Sequence, residues 1–194
     1  EYDEETGQQT WVTSPEGLGT EYDYYYGGNL HYVRQFGPMP SPGSPTPTPM
    51  AVTEYKYDEL NYGRNLTEVR DAEGYKTTYD YDLEGRITGE TLWTGKVNPT
   101  PVYTAVYAYQ SGGMQRLEYK TDFKGQKVAF EYDPIGRLRM KTWYNASPTP
   151  TPVLSLEYTY DEYGQVDYIE VDNCGGGCNG TIDYEYDTLG RLVS

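Results

Sequence analysis

The side chains of this chain that could do chemistry are few, and most of them recur. The single histidine is His31, and nothing in the sequence marks a serine or cysteine partner for it. We interpret it as a strand-face residue. Carboxylate pairs such as Asp80 with Asp82, and Asp183 with Asp187, are of the kind that hydrolyses glycosidic bonds. A catalytic pair would be singular, whereas these pairs recur along the chain. We therefore assign them to turns and predict that the chain is not an enzyme.

Two further groups could hold a metal or form a covalent link. Cys174 and Cys178 lie in the segment VDNCGGGCNGTIDY, where three glycines allow a tight return of the chain. This spacing favours a disulfide that closes the turn, and the alternative is a pair of free thiols in a reducing compartment. Two cysteines without a second pair are too few for structural zinc. The acidic turns lack the spaced ligands of an EF-hand loop, so we expect weak Ca²⁺ binding at most and no cofactor.

The composition is acidic and rich in tyrosine. Lys and Arg number 15 against 30 Asp and Glu, giving a net charge of −15, which disfavours nucleic acid as a partner. The 24 tyrosines recur at ordered intervals, which indicates a folded chain rather than a disordered tail. No apolar run is long enough to span a membrane, and the sequence does not start with the basic and apolar segments and small-residue cleavage site of a secretion leader. We expect a processed chain or a piece of a longer one.

One seven-residue pattern recurs at the turns: Tyr-Asp, two variable residues, Gly, Arg and an aliphatic residue. It stands at Tyr81–Ile87, Tyr132–Leu138 and Tyr186–Leu192. Asp at the first turn position caps nearby N–H groups, and Gly at the fourth accepts a positive φ. The Arg after the glycine is expected either to pair with the turn Asp or to lie over a Tyr ring. The predicted repeat-turn residues are Asp58, Gly63, Asp82, Gly85, Asp133, Gly136, Asp187 and Gly190, and the arginines are Arg64, Arg86, Arg137 and Arg191.

Around these turns, apolar and polar residues alternate as in β-strands, and no useful length shows helical periodicity. The equivalent pairs Tyr57-Asp58, Tyr109-Gln110 and Tyr160-Asp161 are 52 and 51 residues apart, which defines a repeat of two hairpins. The sequence therefore predicts an all-β fold of tandem β-hairpin repeats. The predicted repeats are residues 1–50 (irregular, with a Pro/Thr loop), 51–102, 103–152 and a partial 153–194, in one continuous array.

Pro/Thr segments follow aromatic strand ends at equivalent points of the repeats. They are GPMPSPGSPTPTP at residues 37–49, NPTP at 98–101 and SPTPTP at 147–152. Alternating proline removes backbone donors, so we expect these loops to stay out of the sheet and project from it. They are either stiff spacers or carriers of O-linked sugar at Thr46, Thr48, Thr100, Thr149 and Thr151. Asn65 and Asn179 match the N-glycan acceptor pattern.

The seven-residue patterns at residues 81–87, 132–138 and 186–192, and the equivalent segments at the other turns, are called Tyr-Asp words below. They resemble the YD-repeat, or RHS-repeat, family over essentially the whole chain. The resemblance implies successive hairpins coiled into a spiral, solenoid-like sheet, as a segment of a shell or fibre. Known members are large secreted or surface proteins, some of them hollow shells around toxin fragments. We therefore expect a non-enzymatic structural protein, extracellular or on the cell surface, that is a segment of a fibre or surface filament. It would continue along the same chain or self-assemble and carry covalent glycans on its Pro/Thr loops. Two alternatives stay open: a carbohydrate-binding module that uses Tyr-rich sheet faces, and a wall segment of a toxin-enclosing shell.

Overall fold

The chain forms β-hairpin after β-hairpin. The computed structural model describes residues 1–38, 47–58, 63–95, 98–113, 115–173, 176 and 179–193, and within these ranges it contains strands and no helix. The predicted all-β class of tandem hairpins is confirmed. The strands are β1 (Trp11–Thr13), β2 (Leu18–Tyr24), β3 (Leu30–Pro38), β4 (Ala51–Tyr57), β5 (Leu66–Arg70), β6 (Lys76–Tyr81), β7 (Ile87–Thr94), β8 (Thr100–Tyr109), β9 (Leu117–Thr121), β10 (Lys127–Tyr132), β11 (Leu138–Tyr144), β12 (Pro152–Tyr160), β13 (Val166–Asp172) and β14 (Gly180–Asp183).

The strands fall into two compact units, Glu1–Tyr103 and Thr104–Ser194. In the first unit, β1 to β7 pair in chain order, each strand antiparallel to the next. In the second unit, β8 to β14 do the same. Because consecutive strands are joined by short turns, the turns at one edge of each unit are the Tyr-Asp turns. The four repeat boundaries given above remain predictions.

Six hairpins carry the same irregularity next to the Tyr-Asp pair. Tyr81 pairs with Ile87 and Asp80 with Gly89, so one residue of β7 has no partner on β6. This is a β-bulge, which strengthens the local twist of the strand that carries it. The sequence pattern did not predict it. The extra residues are His31, Thr67, Thr88, Glu118, Arg139 and Asp167.

Few side chains are deeply buried, and most strand residues are half-buried. Among the described residues, the buried apolar side chains are Phe36, Ala105 and Ile169, and the buried polar ones are Thr91 and Thr142. Thr91 and Thr142 occupy matching places, since each faces the third residue of the preceding strand. A single layer of strands has no thick interior, so cross-strand pairs must supply much of the stability.

One such set of pairs crosses a face of the first unit. Glu68 lies at its centre, 3.1 Å from Nζ of Lys56, 3.1 Å from Nη2 of Arg70 and 3.6 Å from Nζ of Lys76. Partial burial raises the pKa of Glu68, but the hydrogen bond and charge of Lys56, with those of its other cations, hold the pKa below its ordinary value. Lys76 also lies 4.3 Å from the ring centroid of Trp93. Charged and aromatic side chains thus connect four successive strands, β4 to β7.

The structure corrects the expectation that the Pro/Thr segments stay out of the sheet. Pro38 ends β3 and pairs with Leu18, and Pro152 begins β12 and pairs with Tyr144. Pro101 is the second residue of β8. Proline is tolerated at a strand end because its missing N–H can lie on the side that needs no ladder bond. The segments between these ends connect neighbouring strands.

The burial of Ile169 gives a test of this architecture. Ile169 of β13 is 8% exposed, whereas Ile182, its cross-strand partner on β14, is 48% exposed. We expect Ile169→Ala to lower the free energy of unfolding by roughly 2 kcal/mol or more, because it leaves a cavity. Ile182→Ala, the matched control, should cost less than about 1 kcal/mol. Urea denaturation measures both, and equal losses would contradict the difference in burial between these two cross-strand partners.

Candidate functional site

The repeated feature with the most connections is the Tyr-Asp turn, and the turn at Asp82 shows its geometry. Oδ1 of Asp82 accepts hydrogen bonds from the backbone N–H groups of Glu84 at 3.1 Å and Arg86 at 2.9 Å. The N–H of Gly85 donates to the carbonyl of Asp82 at 3.0 Å, and Gly85 has φ +80. A side chain with a Cβ would be strained at that φ. Asp and Gly therefore close the turn together.

The second carboxylate oxygen holds the arginine that follows the glycine. In the turns at Asp133 and Asp187, Oδ2 accepts from Nε of Arg137 and Arg191, each at 2.7 Å. For Asp133, partial desolvation raises the pKa, but the side-chain and backbone hydrogen bonds from Arg137 outweigh it and keep the pKa below 3.8. For Asp187, the backbone and side-chain bonds from Arg191 lower the pKa. Each carboxylate thus stays ionised and fully engaged in its turn.

The turn at Asp58 is a longer variant of the same device. The N–H of Gly63 donates to the carbonyl of Asp58 at 2.8 Å, and Gly63 has φ +74. Here Asn65 takes the place of the arginine, because its backbone N–H and its Nδ2 donate to the two carboxylate oxygens of Asp58, each at 3.2 Å. Residues 59–62 lie outside the described part of the chain.

The arginine also reaches the next Tyr-Asp turn of the same edge. The guanidinium of Arg137 lies 4.3 Å from the ring centroid of Tyr160, while its Nε is bonded to Asp133. Arg116 lies 5.1 Å from the ring centroid of Tyr132. The two roles that the sequence left open for such an arginine, pairing with Asp and stacking on Tyr, are therefore compatible in one side chain.

The tyrosine hydroxyl completes the connection between neighbouring hairpins. The hydroxyl groups of Tyr81, Tyr132 and Tyr160 donate to the carbonyls of Leu66, Leu117 and Leu138, at 2.9, 3.1 and 2.7 Å. In each case the leucine is the aliphatic residue that ends the preceding turn word. Burial raises the pKa of all three tyrosines, so the phenols stay protonated and donate. A Tyr-Asp word therefore binds the word before it as well as closing its own turn.

A glutamine or asparagine that follows the turn glycine also connects neighbouring turns, and the sequence pattern did not predict this role. Nε2 of Gln8 donates to the carbonyl of Gly28 at 2.8 Å, and Nε2 of Gln165 donates to that of Gly190 at 3.0 Å. Nδ2 of Asn29 donates to the carbonyl of Gly63 in the same way. The signal was available in the sequence, because each of these amides follows the glycine of its own turn, as the arginines do. Gln and Asn therefore connect successive turns through the backbone, whereas Arg137 does so through an aromatic ring.

The side chains considered for catalysis, a histidine and a carboxylate pair, lie in strands and turns of the hairpins. His31 is the bulge residue of β3, and its ring lies between Tyr25 and Tyr32, with centroids 4.1 and 3.9 Å away. Its Nδ1 is 3.0 Å from Oδ1 of Asp23. Asp80 lies in β6 opposite Gly89, away from the turn that Asp82 closes. Across the described ranges, no group of three or more His, Cys, Asp or Glu side chains could hold a metal ion.

The predicted modification sites differ in accessibility. Thr48, Thr100, Thr149, Thr151 and Asn179 are exposed, whereas Asn65 is half-buried in the Asp58 turn. The hydroxyl of Thr151 accepts a hydrogen bond from Nδ2 of Asn145 at 2.9 Å. Thr46, Cys174 and Cys178 lie outside the described residues, so the disulfide and glycosylation assignments stay predictions. In the described part of the chain, no helix is long and apolar enough to cross a membrane.

These features define a class of protein, an all-β hairpin-repeat scaffold. Comparison with known proteins identifies the repeat. The family model for the RHS Repeat matches residues 62–97. The chain carries an RHS repeat, and its resemblance to the YD-repeat, or RHS-repeat, family is confirmed.

Individual relatives agree with this assignment. The tRNA nuclease WapA of Bacillus subtilis (strain 168) is 32% identical over 140 residues, an alignment that covers 63% of this chain and 6% of WapA. The crystal structure of TcdB2-TccC3 superposes with a TM-score of 0.71 at 18% identity, covering 96% of this chain and 10% of that one. The Photorhabdus luminescens Tc holotoxin pore gives a TM-score of 0.67 at 20% identity, covering 96% and 9%. The two structures share the fold, and the chain spans a small fraction of every relative named.

The turn glycines give a matched test of the connection between hairpins. A methyl group added at Gly136 would overlap the guanidinium of Arg116, whereas nothing lies within 4 Å of the same position at Gly125. Both glycines have positive φ, +92 and +76. Gly125→Ala should cost about 1 kcal/mol for the left-handed backbone alone. Gly136→Ala should cost about 1 kcal/mol more in the free energy of unfolding, because Arg116 must leave the ring of Tyr132.

Calorimetric or urea unfolding of the two variants measures the difference. In an Arg116→Ala background, which already lacks the contact with Tyr132, Gly136→Ala should cost no more than Gly125→Ala. If both alanine variants lost the same stability, the contact between Arg116 and the following turn would carry no energy.

Proposed function

We propose that this chain is a non-catalytic wall segment of a large RHS-repeat protein, located outside the cell or on its surface. The observation that carries the proposal is the repeated connection between hairpins: the words that begin at Tyr81, Tyr132 and Tyr160 close their own turns, and each binds the word before it. Nearest-neighbour contacts of this kind let an array grow by adding hairpins, as in other repeat proteins. The recurring side chains of these words thus serve the turns.

The shell interpretation is preferred to a fibre because of the comparisons. The two solved structures compared above are those of TcdB2-TccC3 and of a Tc holotoxin pore, and the matched region is a tenth or less of each chain. The resemblance to YD-repeat proteins implies hollow shells among the members of the family. This chain would then form one part of such a wall and assemble with the rest of it. The fibre remains the competing hypothesis.

A nuclease activity is not proposed for this chain. WapA is a tRNA nuclease, but the aligned region is 6% of its length. The net charge of −15 opposes contact with the phosphates of RNA. A carbohydrate-binding role for Tyr faces is weaker than a structural one, because the hydroxyls of Tyr81, Tyr132 and Tyr160 already donate to carbonyls of the chain.

Electron microscopy tests the proposed role directly. The protein that carries this sequence is captured from its native cells or culture medium with an antibody raised against the 194-residue chain. A closed, hollow particle built from a polypeptide much larger than 22.1 kDa is the expected result. Filaments would overturn the shell and favour the fibre. A monomer of the size of this chain would contradict both.

The sugar coat is a separate part of the proposal. We expect O-linked glycans at the exposed Thr149, whose loop connects β11 with β12, and none at Thr151, because Asn145 already holds the Thr151 hydroxyl. The mass of the proteolytic peptide that carries this loop, released from the native protein, should then exceed its calculated value in hexose steps. Thr149→Val should abolish the excess assigned to this loop, and the control Thr151→Val should retain it. An unmodified mass would exclude the glycans.

A further inference from the structure

The edge of the second unit holds one Tyr-Asp turn whose tyrosine ring is not covered by an arginine. In the word Tyr186–Leu192, Tyr186 pairs with Leu192, as Tyr160 pairs with Val166 in the preceding word. The residue that would cover Tyr186 is Gln165, since it follows the turn glycine as Arg137 does for Tyr160. Gln165 instead donates to the carbonyl of Gly190. Within the described ranges, no cation lies over the ring of Tyr186.

A groove opens where the guanidinium would lie. It has a volume of about 530 Å³ and is lined by Tyr163, Gln165, Tyr186, Asp187, Thr188 and Gly190, all of them described residues. Tyr163 stands at the tip of its turn with 81% of its surface exposed. The groove therefore has tyrosines on both of the turns that border it and is open to solvent.

The carboxylate that would hold the guanidinium also has an unused oxygen. Oδ1 of Asp161 accepts from the backbone N–H groups of Tyr163 at 2.9 Å and Gln165 at 2.8 Å, as Oδ1 of Asp82 does in its own turn. In the turns at Asp82, Asp133 and Asp187, Oδ2 binds an arginine. In the described part of the chain, no residue donates to Oδ2 of Asp161. The guanidinium of Arg137 has two partners, a carboxylate and a ring. The equivalent groups beside Gln165 are Oδ2 of Asp161 and the ring of Tyr186, and within the described ranges neither contacts a cation.

We propose that this groove binds an arginine side chain of a partner polypeptide, with the guanidinium over Tyr186 and paired with Asp161. The chain itself supplies the template, because Arg137 makes this pair of contacts one turn earlier, with Asp133 and Tyr160. Guanidinium suits such a place, since it is planar, permanently charged and stacks on aromatic faces. A net charge of −15 attracts a basic partner and speeds its approach. A neutral sugar would gain nothing from the carboxylate charge.

Binding of a blocked Gly-Arg-Gly peptide to the 194-residue chain tests the proposal. The control peptide, Gly-citrulline-Gly, has the same shape without the charge. We expect saturable binding by NMR titration, with the resonances of Tyr163 and Tyr186 among those that shift. The citrulline peptide should bind at least about tenfold more weakly, as expected for loss of a cation–ring contact together with an ion pair. Absence of binding, or equal binding of the two peptides, would overturn the proposal.

Two substitutions identify the site. Gln165→Arg should place the chain's own guanidinium in the groove and abolish peptide binding. Gln165→Leu, the matched control, removes the bond to Gly190 without filling the site and should retain binding. Undiminished binding by a folded Gln165→Arg variant would sink the assignment, and so would loss of binding in a folded Gln165→Leu variant.

A third substitution opens an additional groove instead of filling the existing one. Arg137→Gln should expose the ring of Tyr160 and Oδ2 of Asp133, so the number of bound peptides per chain should rise by one. An unchanged stoichiometry in a folded variant counts against the template. Competition with a neutral oligosaccharide completes the test, because displacement of the peptide from Tyr186 by sugar would show a carbohydrate site instead.

Discussion

The carboxylate at the first position of each Tyr-Asp turn is the constraint on which the rest of the structure depends. One oxygen of Asp82 accepts from two backbone N–H groups, and the other binds the side chain of Arg86, four residues further along. This geometry leaves Gly85 at a positive φ and brings Ile87 opposite Tyr81. The register of the hairpin follows from the turn, because a loop of fixed length and type permits one pairing. Without the carboxylate, the N–H groups of the turn would need water.

Each turn is connected to the neighbouring hairpin by side chains that reach from one turn to the next along the edge of the sheet. The hydroxyl of Tyr160 reaches the carbonyl of Leu138, and Arg137 covers the ring of Tyr160. These contacts matter more here than in a globular domain, because few side chains are deeply buried. Polar contacts and aromatic rings replace much of what a thick apolar core would supply. An acidic chain with few aliphatic residues can fold in this way because its stabilising contacts are local and repeated.

The sequence was sufficient for the parts of the fold that local chemistry determines. Asp82 and Gly85, at the first and fourth positions of a turn, are typical of a β-hairpin, so the turn, the hairpin and the all-β class could all be predicted. The bulge residues Thr88 and Arg139 could not, because a bulge depends on how two strands pair and leaves no mark in either strand alone. Proline was read too strictly, since Pro152 meets no conflict at the first position of a strand.

The candidate site was harder to predict because it depends on a residue that the turn itself does not require. Asp, Gly and Tyr each have a fixed task in the word, whereas the residue after the glycine contributes only its backbone N–H to the turn. Its side chain is therefore free to vary without loss of the hairpin. Arginine at residue 137 fills the space before Tyr160, and glutamine at residue 165 leaves the space before Tyr186 open. A repeat protein can thus gain or lose a binding groove by one substitution while every strand keeps its register.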